Sequence, residues 1–536
     1  MSKKETTLVA ASVVAALLAP ASAFAADVHV HPGESISSAV NHASPGDRIL
    51  VHAGTYPGSG WIEHNGTEAA PITVLSVDGV HTAVLEGGGE SLRISNSGYL
   101  VFDGLEVRNS GDNAVHIDGQ SHHITLRNIY AHDAGFNGDV LKVNQSNHII
   151  VERSEFARPG ARDIPENPYQ ECVDFVDVDD SVIRDNYIHD GGSMLVYVKG
   201  GSRNDVMERN VVADQRAGAS DPMVGLGAPS DLWALDGEQY EAINTVLRNN
   251  VIIGGKTGAI AVYDADGAFI ANNLLIDNDR VLVEFRAGGG PAALSRNVRV
   301  VNNIMLDTRG RMPVAYQRSS HGLEDFQTSN NLFWNAGSAL PNCPLLALDT
   351  QPGHMVADPL VTPIAPTAPR DAILSTVRPH AGSVATASGM NAVAAPYGVV
   401  DDIMGNARGS SVDRGPYVLA GSTMPPPTDT DAGTTNPPPS DTDAGTSNPP
   451  PANTDSGVAS DASMNPSGDD AGTPSTQTDA GPSRDAGGSA GDSGSDAAAG
   501  GGGCNAAGTR SNGLAAMLAM LLLAVFARRF VTARNR

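Results

Sequence analysis

The sequence is poor in cysteine, in aromatic side chains and in positive charge. Three cysteines in 536 residues exclude a disulfide-rich scaffold, and 5% aromatic residues argue against a dense aromatic core. The chain has 34 basic and 60 acidic residues, and its formal charge of −26 argues against a partner such as DNA or anionic lipid. Of this charge, residues 26–421 carry −21 and residues 422–503 carry −11, whereas both ends are basic.

Residues 1–25 have the organisation of a secretory signal peptide. Lys3 and Lys4 precede an apolar run that ends at Pro20, and Ala23 and Ala25 are the small residues before a cleavage site. The run is too short to span a bilayer. We therefore expect the export machinery to secrete the protein, so that its main domain works outside the cytoplasm.

A linker follows the main domain. Residues 422–503 repeat near-copies of the decapeptide Asn436–Gly445 and have almost no large apolar side chain. Such a segment cannot bury enough surface to offset the entropy lost on ordering. We predict a disordered, extended and acidic stalk.

Residues 504–536 contain Cys504, then an apolar stretch over 514–527, then a pair of arginines. This order resembles the C-terminal sorting tail of myxobacterial surface proteins. The resemblance implies processing near Cys504 and delivery by a sorting machinery to the cell surface or the medium. The alternative is an ordinary C-terminal membrane anchor formed by the short hydrophobic helix.

The main domain has two cysteines, Cys172 and Cys343. They are the one possible internal disulfide pair if Cys504 belongs to the tail, and their spacing does not test whether they are bonded. Neither residue forms a metal-type pair, and we do not expect a catalytic thiol.

The main domain repeats a short apolar unit that usually ends in asparagine. Most steps between units are 23 to 32 residues long, and a second alternating strand precedes several units by ten or twelve residues. The units are Val101–Leu105, Ile124–Asn128, Ile149–Arg153, Val182–Asn186, Val206–Asn210, Thr245–Asn250, Phe269–Asn273, Val300–Asn303 and Ser329–Asn331. Short strands without helical periodicity predict a parallel β-helix, in which each coil buries its inward side chains only by stacking on the next.

The recurring asparagines support a stacked turn. Their amides can hydrogen-bond from coil to coil, and asparagine tolerates a left-handed backbone. The alternative fold, an antiparallel sandwich, would require hairpin turns every 8–12 residues and no ladder of side chains.

Both ends of the domain resemble right-handed parallel β-helix proteins of the pectate-lyase-like superfamily. The segments that carry the resemblance are Ser44–Val51 and Gly54–Tyr56 in the first coil, and Ala357–Leu360, Asp402–Arg408 and Asp413–Tyr417 in the closing coils. The resemblance implies an all-β, single-stranded right-handed parallel β-helix over residues 26–421, which we expect to be monomeric. It implies activity only weakly, because this scaffold carries lyases, hydrolases, epimerases and non-catalytic surface proteins.

Outward side chains on equivalent strands should form rows along the coil. Counting back from the repeat asparagines, or from Ser154, places His116, Lys142, Asp174 and Tyr197 in one row. A second row would hold Asp118, Asn144, Lys199 and Tyr263, with Glu284 and Arg286 further along. Adjacent coils are ~4.8 Å apart, so the rows could line a track for an extended polymer.

The densest polar cluster runs over residues 171–180 and continues one coil later over residues 197–203. Polysaccharide lyases remove the proton alpha to a uronate carboxylate, which requires a base and a cation to hold the developing negative charge. Lys199 and Lys142 are the candidate bases, and Arg203 is the candidate neutralising cation.

Calcium is the second candidate for neutralising the substrate carboxylate. Asp174, Asp177 and Asp180 are its candidate ligands, because Ca²⁺ prefers carboxylate oxygens. A bend after Phe175 would be needed to bring Asp174 and Asp177 to one side of the strand, and Asp180 could equally be a turn residue.

Two insertions, residues 157–170 and 214–241, flank the same coils. The second carries Trp233, Asp236, Glu238 and Tyr240, and its two aromatic rings could stack on sugars or form a small core within the loop.

The leading hypothesis is a secreted or surface-attached β-helix that cleaves an acidic polysaccharide by β-elimination. The candidate substrate-binding residues are His116, Tyr197, Trp233, Tyr263 and Arg286. One alternative is a non-catalytic glycan-binding or adhesive surface protein. The other is a glycoside hydrolase that uses Asp174 with Asp236 or Glu238 as its two carboxyl groups.

Overall fold

The protein is described by a computed structural model over residues 25–419, apart from residues 59, 231, 233, 236, 290, 320, 410 and 411. These residues form a β-helix in which each coil pairs in parallel with its neighbours. The predicted all-β parallel solenoid is confirmed. The predicted linker and sorting tail, and the proposed signal peptide apart from its last residue, lie outside the described residues. Among the described residues, no helix is long and apolar enough to cross a membrane.

A typical coil has one strand on each of three faces. The first face comprises Trp61–Ile62, Leu92–Ser95, Val115–Asp118, Leu141–Asn147, Val173–Asp179, Val196–Lys199, Val224–Leu226, Ile260–Tyr263, Val281–Arg286 and Val314–Arg318. The second face comprises Asp27–Val30, Arg48–Val51, Ile72–Ser76, Gly98–Asp103, His122–Arg127, Ile150–Glu152, Val182–Arg184, Val206–Glu208, Val246–Arg248, Phe269–Ala271, Arg299–Val301 and Gln327–Ser329.

The third face comprises Gly54–Pro57, Ala83–Glu86, Glu106–Arg108, Tyr130–His132, Glu155–Ala157, Tyr187–Gly191, Val211–Gln215, Val251–Ile253, Leu274–Ile276, Ile304–Leu306, Leu332–Trp334 and Met355–Val356. Short strands between the first and second faces are Ser202–Arg203, Ala242–Ile243, Ala265–Asp266, Leu294–Arg296 and Gly322–Glu324. The repeat units of the sequence are the second face, and the strands that precede them are the first face.

The N-terminal strands of the first face, up to Leu141–Asn147, alternate between core and surface. In Val115–Asp118, the valine and the isoleucine are buried, whereas His116 and Asp118 remain partly exposed. This alternation follows from the two-residue period of a strand. It places polar side chains of successive coils side by side on the outside of the first face.

The predicted asparagine ladder lies at the turn between the second and third faces. The Nδ2 group of each asparagine donates to Oδ1 of the next at 3.0–3.1 Å. Its members are Asn186, Asn210, Asn250, Asn273, Asn303 and Asn331, all buried. The ladder therefore satisfies amides that would otherwise be costly to bury.

The left-handed residue of this turn is the one before each ladder asparagine, not the asparagine itself. Asp185, Arg209 and Asn249 have φ values of 60°, 54° and 56°. Asn128, with φ of 52°, occupies this left-handed position. Ile129 stands at the ladder position in that coil, and its backbone N–H donates to Ser154 Oγ at 3.0 Å.

Residues 357–419 do not form the closing coils that the resemblance implied. They cross the outside of the third face, where the helix Arg370–Thr376 packs Ile373 and Leu374 against that face. Tyr187 donates its hydroxyl to Ala368 O at 2.9 Å, which fixes the same segment. Because it covers the third face, strands such as Val251–Ile253 are apolar on both sides.

Two further features complete the domain. The helix Ile36–Asn41 covers the N-terminal coil and buries Ile36 and Val40, and Ser35 Oγ caps it by accepting from Ser38 N. A 3₁₀ turn spans Leu348–Thr350. Cys172 and Cys343 are both buried and both free, so the possible disulfide does not form in this structure.

Candidate functional site

The first face carries the first predicted row in register. His116 is opposite Lys142, Lys142 is opposite Asp174, and Asp174 is opposite Tyr197. The row also extends in the N-terminal direction, where Trp61 is opposite Arg93 and Arg93 is opposite His116. The sequence pattern does not indicate this extension, because the repeat unit becomes recognisable only from about residue 100.

The second row is largely as predicted. Asn144 is opposite Val176, which is opposite Lys199, and Tyr263 is opposite Arg286 further along. Glu284 is opposite Ala261, which places it in the first row and not beside the second.

Lys142 is held by two buried carboxylates. Its ammonium contacts Asp174 and lies 3.3 Å from Asp139 Oδ2. The Asp174 side chain is 1% exposed and the Lys142 side chain 23% exposed, so the pair is covered but the ammonium still reaches the surface. An ammonium has three N–H groups, and two are directed at these partners. One donor therefore remains for a ligand.

Lys199 is the freer of the two lysines. Among the described residues, its Nζ makes one hydrogen bond, to Pro229 O at 3.4 Å, and lies 4.9 Å from the centre of the Tyr197 ring. No described carboxylate comes within ion-pair distance of it. Its charge is therefore available to a ligand.

The two lysines line one cleft of 420 Å³. Asn144 and Val176 lie between them, and Pro229, Ser230 and Ala234 form the opposite wall. The buried Glu241 fixes this wall, since its carboxylate accepts from Ser230 N at 3.1 Å and from Gly200 N at 3.0 Å. The wall belongs to residues 227–241. The insertion predicted over residues 214–241 was therefore too long, because Val211–Gln215 and Val224–Leu226 are strands of the coil.

A further carboxyl group adjoins Lys142. Burial, and then the charge of Asp139, raise the pKa of Glu171 well above its usual range. Burial, and then the charge of Glu90, also raise the pKa of Asp112. A raised pKa favours the neutral form of each of these two carboxyl groups. Asp139 and Glu171 were not predicted as partners, because both precede their strands and follow no alternating pattern.

Tyr197 and Tyr263 do not present their rings to the cleft. They are 4% and 2% exposed and pack with Met194 and Ala228. Burial raises the pKa of both hydroxyls. The structure therefore places both rings in a core under the loops, where they cannot stack on a substrate in this conformation.

The loop before Val224–Leu226 also engages Arg286. Asp221 accepts from Arg286 at 2.7 Å and from the Tyr263 hydroxyl at 2.8 Å. Burial alone would raise the pKa of Asp221, but hydrogen bonds from Ser220 and Tyr263 bring it below its usual value. Arg286 is thus neutralised by a loop aspartate that the sequence pattern did not reveal.

Arg203 is turned away from the cleft. It pairs with Glu238 and lies 3.6 Å from Asp179, and it does not line the space between the lysines. The structure thus gives Arg203 and Glu238 each other as partners, whereas Asp174 pairs with Lys142.

His116 belongs to a polar network at the N-terminal side of the cleft. Its Nε2 lies 3.1 Å from Asn144 Oδ1, and its Nδ1 contacts Glu90. Arg93 in turn contacts Glu90 at 2.9 Å and Asp118.

The three aspartates predicted to bind calcium do not converge. Asp174 faces Lys142, whereas Asp177 is left-handed with φ of 56° and bends the strand. Asp180 follows the strand end and accepts from Asn204 at 3.0 Å. Six residues at ~3.3 Å each span about 20 Å in a straight strand. Even with the bend at Asp177, Asp174 and Asp180 are therefore roughly 10 Å or more apart, which is too far for both to bind one ion. No group of three metal ligands occurs among the described residues, so these three aspartates do not form the predicted calcium site. Whether the substrate is bound through a calcium ion stays a prediction.

The aromatic pair of the second insertion is only partly visible. Trp233 and Asp236 lie outside the described residues. Tyr240 has the Arg296 guanidinium 4.9 Å from its ring centre, in the short-strand region between the first and second faces. Its role in sugar binding stays a prediction.

Comparison with known proteins agrees with the fold. A family model described as the right handed beta helix region matches residues 62–221. No curated protein sequence matches the chain. The chain thus has the right-handed parallel β-helix that the sequence predicted.

Three solved structures illustrate the range of similar proteins. One is an alginate lyase from a Paenibacillus strain, with 20% identity, 56% of this chain and 99% of that one covered, and a TM-score of 0.42. The pectate lyase Pel9A has 16% identity, 73% and 96% coverage, and a TM-score of 0.46. The A-module of a mannuronan C-5 epimerase from Azotobacter vinelandii has 14% identity, 58% and 91% coverage, and a TM-score of 0.38. At these identities the likeness concerns the fold alone.

Proposed function

We propose that this β-helix is exported and cleaves an acidic polysaccharide by β-elimination at the cleft between Lys142 and Lys199. The observation that carries the proposal is the convergence of two lysines on one open face of a domain whose formal charge is strongly negative. Two ammonium groups in one cleft favour a ligand that carries carboxylates.

The contacts of the two lysines support different roles. Lys142 is held in place by Asp139 and Asp174 and keeps one donor for the substrate carboxylate, whose charge grows as the adjacent proton leaves. Lys199, with no carboxylate partner among the described residues, is the base. It takes the proton alpha to the carboxylate, the electron pair of that C–H bond forms the new double bond, and the glycosidic oxygen on the beta carbon leaves and takes a proton from solvent water. The hydroxide left behind is neutralised when Lys199 returns its proton to solvent.

The test is turnover by the full chain. Pectate, alginate and glycosaminoglycans are incubated with it, and the unsaturated uronate product is followed by its ultraviolet absorbance. We expect product with at least one of these polymers, and a loss of about a hundredfold or more in rate for Lys199→Ala.

The matched control is Lys256→Ala, which removes an exposed lysine that does not line the cleft. It should retain full activity. Absence of unsaturated product from every uronate polymer would refute the proposal. Polymer binding without turnover would instead identify a glycan-binding surface protein.

A further inference from the structure

Trp61 is an exposed aromatic ring in the same row as Lys142. Its residue surface is 60% exposed, although the other aromatic residues of the first face, such as Tyr263 and Phe285, are buried. Three successive strand pairings connect it to the cleft: Trp61 is opposite Arg93, Arg93 is opposite His116, and His116 is opposite Lys142. At ~4.8 Å per coil, Trp61 lies ~14 Å from Lys142 along the axis of the coil.

The indole is held in place from one side. The Arg93 guanidinium lies 4.2 Å from the centre of the ring, a cation–π contact. Arg93 is itself fixed by Glu90 at 2.9 Å and by Asp118. The strand that carries Trp61 is also fixed, since Asn41 Nδ2 donates to Trp61 O at 2.8 Å and Asn41 Oδ1 accepts from Glu63 N at 3.0 Å. The ring therefore needs little further ordering when a ligand packs on it.

The surroundings of Trp61 favour an apolar contact over an ionic one. The positive charge of Arg93 is offset by two carboxylates, so this position offers a carboxylate ligand no free cation. A pyranose ring has a face of C–H groups that can cover an indole and remove its apolar surface from water. The carboxylate of the reacting sugar would meanwhile bind at the lysines.

We propose that Trp61, supported by Arg93, is a distal sugar-binding subsite that stacks on a pyranose ring of the same polymer bound at the lysine cleft. This inference rests on the proposed function for the identity of the polymer. It adds a second anchoring point at the N-terminal end of the first row and predicts that affinity depends on chain length.

The experiment measures binding, so that it does not require turnover. The full chain with Lys199→Ala is titrated with uronate oligosaccharides of increasing length, prepared from alginate and from polygalacturonate. Affinity should rise once an oligosaccharide is long enough to reach from the cleft to Trp61. Adding Trp61→Ala should remove most of that rise, a loss of about tenfold, which corresponds to roughly 1.4 kcal/mol. Val356→Ala, an exposed apolar residue on the third face, is the control and should keep the rise.

A second variant provides a spectroscopic readout. Trp61→Phe keeps an aromatic ring and should keep part of the affinity, but it should lose the change in tryptophan emission that a long oligosaccharide produces. Equal affinity of Trp61→Ala and its parent at every length would overturn the subsite, and so would an equal loss at all lengths or an absence of binding to every polymer. Length-dependent binding that requires Trp61, in a protein without turnover, would support the subsite and refute the lyase.

Discussion

Lys142 and Lys199 should differ sharply in their effect on stability. Lys142→Met removes the cation that faces Asp174, a carboxylate whose side chain is 1% exposed. Breaking a buried ion pair from one side costs about 3 to 5 kcal/mol, because the remaining charge is left without compensation. Lys199→Met removes only a 3.4 Å hydrogen bond to a carbonyl and should change stability by less than about 0.5 kcal/mol.

The double variant isolates the cause. In Lys142→Met with Asp174→Asn, the uncompensated charge of the more deeply buried carboxylate is gone while that of Asp139 remains, so a large part of the lost stability should return. Urea unfolding at neutral pH gives the free energies. Hydrogen exchange of Leu141–Asn147 and Val173–Asp179, the two strands that carry the pair, reports on the local effect. A Lys142→Met chain within about 1 kcal/mol of wild type, or a double variant no more stable than the single one, would refute this account of Lys142.

Three further predictions concern the scaffold. Asn250→Ala removes the acceptor of Asn210 N–H and the donor to Met207 O in the buried ladder, so urea unfolding should show a loss of about 2 to 4 kcal/mol; less than 1 kcal/mol would contradict the role of the ladder. Burial, with a smaller effect of Arg414, lowers the pKa of His354 to about 4, so its contribution to stability is present above about pH 6.5 and is lost as the pH falls towards 4. The fall in Tm between pH 7 and pH 4.5 should therefore be smaller in His354→Asn, and an identical fall would contradict the prediction. Burial raises the pKa of the Cys172 thiol, so in a Cys504→Ser chain a thiol reagent should react only after denaturant is added.

The rows of the first face could be predicted because two periods act together. The two-residue period of a strand decides which side chains point outward, and the spacing of the asparagines decides which of them are neighbours. His116, Lys142 and Asp174 were placed correctly even though Asn128 was counted as a ladder residue. That count was one residue out in the second face, where Arg127 is opposite Glu152. One additional residue between Asp118 and His122, relative to the next coil, compensates for it.

The partners of the row residues could not be predicted in the same way. Asp139 and Asp221 belong to turns and loops between strands, where no period applies, and only the folded chain brings them to Lys142 and Arg286. Burial of Tyr197 and Tyr263 has the same origin, since the loops that cover them are positioned by tertiary contacts. The strands of the third face are only three residues long in most coils, and several of them, such as Val251–Ile253 and Leu274–Ile276, are apolar on both sides and so show no alternation.

The acidic charge of the domain and the proposed anionic substrate are compatible because electrostatic interactions act over short distances. At physiological ionic strength, charges separated by more than about 8 Å across solvent are largely screened, so the acidic surface slows the approach of a polyanion more than it weakens contact in the cleft. Within the cleft, the balance is local: Asp139 and Asp174 offset the charge of Lys142, whereas Lys199 has no such partner among the described residues. The cleft can therefore hold a substrate carboxylate at the remaining donor of Lys142, and an apolar contact at Trp61 adds affinity that the acidic surface does not oppose. Selection of the polymer would thus depend on the lysine cleft and one distal ring, and not on the field of the whole domain.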